Sequence, residues 1–198
     1  VRTVELVCSP GLEVAVRAVW GRLAAAGLPS LARNIHPTNR PHLTLAAVEE
    51  FPPGVEHRLA ELFDAALPVP VTLDRVVVLD GSAPLVWLVR PTPALTALHA
   101  AVWDVLAEAD GHRPWHAPDA WVPHLSLALR FRNADLRVAR AVAGGAASDG
   151  RLRRRPQLRR HGPDGDPADR QRLRSSRVVR NLSCCPHRHR RLRHRSRR

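Results

Sequence analysis

The amino-acid sequence predicts an α+β fold: a bilobal, pseudo-symmetric domain with antiparallel sheets flanking a central cleft and helices outside. Three observations carry that expectation. Pro41-His42-Leu43-Thr44-Leu45-Ala46 and Pro123-His124-Leu125-Ser126-Leu127-Ala128 are one six-residue word written twice, with Thr exchanged for Ser. Strand-like and helix-like segments alternate around both copies in a similar order. Apolar periodicity ends near residue 148, so both halves must be built from what precedes it.

The elements follow from local pattern. Alternation over Arg2 to Cys8 reads as a strand, and Ser9-Pro10-Gly11 leads into a helix with Leu12, Val16, Val19 and Leu23 on one face. Gly27 is placed to end it. Residues 28–40 are polar and turn-rich, and the first motif strand runs from about His42 to Val48. Pro52-Pro53-Gly54 opens a second helix through Leu59, Leu62, Phe63 and Ala66. Strands are expected over about Val71–Leu79 and Leu85–Arg90, joined by the hairpin loop Asp80-Gly81-Ser82-Ala83-Pro84.

Thr92-Pro93 then starts a third helix with Leu95, Leu98, Val102, Val105 and Leu106 inward, ending near Asp110-Gly111. A loop rich in Pro, His and Trp covers 112–120, the second motif strand about Trp121–Leu129, and a last helix about Ala134–Ala143.

Charge divides the chain. Residues 1–150 carry 13 Arg against 15 Asp and Glu, a balance of −2, whereas residues 151–198 carry 18 Arg against 3 Asp, a balance of +15. Residues 1–147 are therefore read as the domain, with its second lobe short of strands, and residues 148–198 as an Arg-rich tail disordered in isolation. Two readings of the tail stay open. Either it is an arm that neutralises nucleic-acid phosphates, or it is translated from a slipped frame of GC-rich DNA, which yields Arg, Pro, His, Ser and stray Cys. The sequence favours the second, because no strand-like alternation can be found past the last helix.

Several classes are disfavoured. No apolar run approaches the length needed to cross a bilayer, nothing resembles a signal peptide, and a cytoplasmic monomer is expected. Cys8, Cys184 and Cys185 make neither a disulfide framework nor a paired zinc spacing. His42 and His124 lack a third ligand or an H-E-x-x-H spacing, so neither metal nor cofactor is expected.

On a strand, side chains alternate faces, so His42 and Thr44 share one face and His124 and Ser126 share another. Each word offers one imidazole and one hydroxyl. With an unperturbed pKa of about 6.5, one imidazole can be neutral and the other protonated near neutral pH. That pairing suits general base and acid work on a phosphodiester, with Thr44 and Ser126 binding its non-bridging oxygens.

These paired H-x-[ST] words resemble those of the two-histidine phosphoesterase superfamily, which includes 2′-5′ RNA ligase and RNA 2′,3′-cyclic phosphodiesterase proteins. The resemblance covers roughly residues 1–147. It implies one motif from each lobe facing a central cleft, with His42 and His124 catalytic and Thr44 and Ser126 phosphate-binding. It further implies metal-independent opening of a 2′,3′-cyclic phosphate, on RNA ends or nucleotides, to a 2′-phosphate. Which histidine is acid and which base stays open, as does 2′-5′ ligation by the same site. The alternative is a catalytically impaired RNA-binding protein that uses its basic tail.

Arg40 and Arg130, flanking the motifs, are candidate phosphate contacts, and Trp115 and Trp121 are candidate cleft walls that could stack a base. Trp87, in an apolar strand, is read as core. His36, His57, His99, His112 and His116 are read as structural or exposed.

Overall fold

The computed structural model describes residues 1–36, 39–79, 84–132, 135–144 and 149–154. These form strands β1 (Arg2–Cys8), β2 (His42–Val48), β3 (Val69–Val78), β4 (Leu85–Val89), β5 (His124–Ala128) and β6 (Asp149–Arg154). The helices are α1 (Pro10–Ala25), α2 (Val55–Ala66), α3 (Pro93–Val105) and α4 (Leu136–Ala143). The predicted hairpin loop at 80–84 lies mostly outside the described residues.

Each helix is explained by its ends and its stripe. Pro10 opens α1, whose Leu12, Val16, Val19, Trp20 and Leu23 are buried. At its far end Gly27 adopts φ 74°, and Leu28 N–H donates to Leu23 O at 2.9 Å, closing the helix as a glycine in left-handed geometry does. Thr92 caps α3 by accepting from Leu95 N–H at 3.2 Å.

All strands join in one sheet of order β2-β1-β6-β3-β4-β5, with every neighbouring pair antiparallel. The expected separate sheets are thus one continuous sheet. Its symmetry lies in an exchange: each half is a β-α-β-α-β unit, and the third strand of each crosses into the other lobe. β3 completes the lobe of β4 and β5, β6 completes the lobe of β1 and β2, and the two exchanged strands pair at the centre.

The expectation that no strand follows the second motif is overturned. Residues 149–154 form the central strand β6, so the ordered domain passes the boundary drawn at 147, and this argument for a slipped frame fails over those residues. The segment looked like tail because Leu152, fully buried, is the one apolar side chain in its sequence. Its neighbours Arg151 and Arg153 are exposed on the other face. The remainder of the tail, 155–198, lies outside the described residues.

The sheet curls until its edges, β2 and β5, approach each other. One face packs against the helices and carries Leu6, Leu43, Leu45, Trp87, Leu125, Leu127 and Leu152 into the core. Trp87 is core, as read. Gly150 is required by close approach: a Cβ there would stand 2.8 Å from Leu12 Cβ of α1.

Two outcomes check β6. Leu152→Ala should cost about 2–5 kcal/mol, as for a fully buried leucine, and Gly150→Val about 1–3 kcal/mol through overpacking. Chemical denaturation measures both. A tail position would leave each within about 0.5 kcal/mol of the parent.

Candidate functional site

Both motif strands depart from regular pairing at the same place. In the β1–β2 ladder the partners run from Glu5 with Thr44 to Val4 with Ala46, leaving Leu45 extra. In the β4–β5 ladder they run from Val86 with Ser126 to Leu85 with Ala128, leaving Leu127 extra. Each word therefore bulges one residue past its hydroxyl. The bulge turns two successive residues inward: Leu45 and Ala46 are buried in the core, as are Leu127 and Ala128. That explains the apolar pair ending each word, and it leaves His42, Thr44, His124 and Ser126 half-buried on the opposite face.

Each imidazole is held alike. His42 Nδ1 lies 2.8 Å from Arg40 O, and His124 Nδ1 lies 2.7 Å from Val122 O. A backbone carbonyl only accepts, so Nδ1 carries the proton in both rings and Nε2 is left to exchange one.

The hydroxyl residues are anchored through their backbones. Trp121 Nε1 donates to Thr44 O at 3.0 Å, and Trp20 Nε1 donates to Ser126 O at 3.0 Å. Trp20 comes from α1, whereas Trp121 comes from the segment entering β5, so each indole ties one half of the chain to the motif strand of the other. Trp121 is fixed in turn by His99 of α3, stacked on it at 3.9 Å and 2°. His99 is buried, and its Nε2 lies 3.1 Å from His116 O.

The two lobes differ in what faces the histidines. The residue paired with Thr44 is Glu5, whose Oε1 lies 3.9 Å from His42 Nε2; the residue paired with Ser126 is Val86. Burial pushes the proton affinity of His124 down, and the positive charge of a protonated His42 pushes the same way, against the opposing effect of the Val122 bond. His116 is pushed down to about 4, by burial first and then by His99, His124 and Arg113. Among the described residues no three His, Cys, Asp or Glu side chains gather into a group able to hold a metal ion, and no helix is long and apolar enough to cross a membrane.

Two lobes, each presenting an imidazole and a hydroxyl from a repeated word, form the geometry on which family comparison bears. The family described as the 2′-5′ RNA ligase superfamily matches residues 11–158. The chain belongs to that superfamily. The match takes in both motifs and β6. A search of curated proteins finds no match.

The remaining expected residues of this superfamily member fall as follows. Arg40 pairs with Glu13 of α1 at 2.7 Å and sits beside His42 through its own carbonyl. Arg130 is exposed just past β5, and Trp115 is 62% exposed at the rim of its loop. Trp121 has one face covered by His99 and its N–H taken by Thr44 O, so it braces the site.

Sequence reasoning missed Glu5, Trp20 and the part His99 plays. Glu5 was legible as a carboxylate between Val4 and Leu6 on the outward parity of β1. Trp20 and His99 sit on apolar helix stripes, where pattern alone reads core.

Removing the indole donor should expose the bracing. Trp121→Phe leaves the Thr44 carbonyl without its partner and should cost about 1–3 kcal/mol. Equilibrium denaturation checks it, and an unchanged stability would mean that the bond contributes nothing.

Proposed function

We propose that the protein hydrolyses 2′,3′-cyclic phosphates, at RNA ends or on nucleotides, to 2′-phosphates, without a metal ion. The observation that carries this reading is the matched pair of imidazoles, each fixed through Nδ1 to a backbone carbonyl and each with Nε2 left for proton transfer. Membership of the 2′-5′ RNA ligase superfamily supports it.

The asymmetry between the lobes supports a division of roles. His124, whose burial favours the neutral ring, is the base: its Nε2 takes a proton from water as the water oxygen bonds to phosphorus. His42 is the acid. As an imidazolium it has the Glu5 carboxylate beside it, whereas His124 has Val86 in the equivalent place. Its Nε2–H gives the proton to the leaving 3′ oxygen as the phosphorus–oxygen bond breaks, and the phosphate stays on the 2′ oxygen. Thr44 and Ser126 donate to the non-bridging oxygens, where charge grows. A ribose 5′-hydroxyl in place of water gives 2′-5′ ligation by the same steps.

The test is turnover of a nucleoside 2′,3′-cyclic phosphate in excess EDTA. His42→Ala and His124→Ala should each lower kcat by about 10²–10⁴-fold. Undiminished turnover in either variant would remove that histidine from the mechanism, and loss of turnover in EDTA would remove the metal-free reading.

The pH profile tests the assignment of His124. A base works only when unprotonated, so kcat/KM falls as pH drops through its pKa. Because that pKa is lowered, the acidic limb should lie below the ordinary histidine value of about 6.5. His116→Ala, which removes a neighbouring imidazole, should leave the limb in place. An acidic limb at or above the ordinary value would contradict the assignment.

A further inference from the structure

A polar ring closed off from water calls for a reason, because burying a hydrogen-bonding group is costly unless its partners are supplied. Among the described residues His99 of α3 is the one buried polar residue, at 1% exposed. Its edge and its face make different contacts. At the edge, Nε2 lies 3.1 Å from His116 O, and the ring also bonds to the backbone of Leu45. The flat face lies on Trp121, at 3.9 Å and 2°. Burial lowers the proton affinity of His99, and the His116 and Leu45 bonds oppose this without overcoming it, so the ring is neutral near pH 7. None of these contacts takes a direct part in opening a cyclic phosphate.

What His99 holds is the aim of an indole. Trp121 Nε1 donates to Thr44 O at 3.0 Å. The indole N–H lies in the plane of the ring, and a hydrogen bond weakens steeply as its angle closes, so the bond persists only while that plane is fixed. Trp121 stands outside any helix or strand, and its backbone is tied to the preceding turn through Trp121 N–H to Ala117 O at 2.8 Å. The same turn is anchored to His99 at His116 O. Trp20, which serves Ser126 in the other lobe, sits within α1, where the helix backbone and a buried stripe fix its ring and Arg17 stands 5.4 Å over it. The brace on Thr44 thus depends on an added stack where the brace on Ser126 does not.

We propose that His99 is a positioning residue for hydrolysis: by holding the plane of Trp121 it fixes the Thr44 carbonyl, and with it the Thr44 hydroxyl that meets the phosphate. This role rests on the cyclic-phosphate reading above for what Thr44 does, and adds what keeps Thr44 in place. Leu45, the extra residue of the first bulge, bonds through its backbone to the same ring, so His99 steadies two successive residues of the motif strand. Charge grows on the non-bridging oxygens as the reaction proceeds, so a misplaced hydroxyl costs the transition state more than the bound substrate. The loss therefore falls on kcat more than on KM.

Two substitutions of similar size separate positioning from packing. His99→Leu and His99→Phe both lose the bonds to His116 and Leu45, so equilibrium denaturation of the full chain should find similar losses of stability. Phe keeps a flat ring against Trp121, and Leu does not. With a nucleoside 2′,3′-cyclic phosphate, His99→Leu should lower kcat by about 10–100-fold, up to the cost of a displacement of about 1 Å at the reacting centre, with KM changed far less. His99→Phe should recover most of the parent's kcat. In the ¹⁵N-labelled chain, the Trp121 indole N–H should exchange with solvent faster in His99→Leu than in the parent or in His99→Phe.

Thr44→Val asks whether the effect passes through that hydroxyl. Added to Thr44→Val, His99→Leu should lower kcat little further, whereas added to Ser126→Ala its loss should multiply. A parental kcat in His99→Leu, equal losses of kcat in His99→Leu and His99→Phe, an unchanged indole exchange rate in His99→Leu, or a loss that multiplies with Thr44→Val each overturns the role while leaving cyclic-phosphate hydrolysis standing. Absence of turnover in the parent overturns the cyclic-phosphate reading, and the role of His99 in hydrolysis falls with it.

Discussion

The structure depends on how its sheet is held in a curl. An edge strand presents unpaired carbonyls, and in this fold both edge strands carry the motif residues. Two indoles answer that exposure: the Thr44 and Ser126 carbonyls are taken by Trp121 and Trp20. Because each indole comes from the opposite half of the chain, the bonds that satisfy the edges also draw them together. Released, β2 and β5 would be far ends of a six-stranded sheet, and their histidines would have no common surface. The stack of His99 on Trp121 holds one of these braces in place.

The strand exchange supplies the second half of the argument. β6 fills the centre of the sheet beside β1, so the lobe bearing His42 is completed only near the end of the described chain. Among its described side chains it buries Leu152, and Gly150 comes close to Leu12. Its exposed arginines turn towards the same face as His42. Pseudo-symmetry then places two similar imidazoles, and the exceptions to symmetry make their surroundings differ. Glu5 stands where the other lobe has Val86, so a single pair of strand positions gives the two imidazoles different surroundings.

Much of this was legible in the sequence, for physical reasons that differ by element. The motif strands were readable because a six-residue word with a leading proline encodes a strand, its parity and, as the structure shows, its bulge. α1 and α3 were readable from apolar stripes and capping residues such as Thr92. The continuous sheet was not, because alternation reports which face a residue takes and not which distant strand it pairs with. β6 escaped because a strand with one large inward residue and outward arginines has the composition of a solvated tail. The braces escaped because a tryptophan on a helix stripe reads as core, and the acceptor of its N–H lies more than a hundred residues away in the case of Trp20.

The central claim is that both imidazoles are pinned through Nδ1 so that both Nε2 atoms serve the substrate. Long-range proton–nitrogen correlation NMR on the ¹⁵N-labelled full chain, at a pH where the rings are neutral, reads the tautomer of each histidine directly. The account predicts the Nδ1–H form for both His42 and His124. An Nε2–H tautomer at either residue would contradict it, because that ring could not be donating to its carbonyl and its Nε2 would have no lone pair with which to accept a proton.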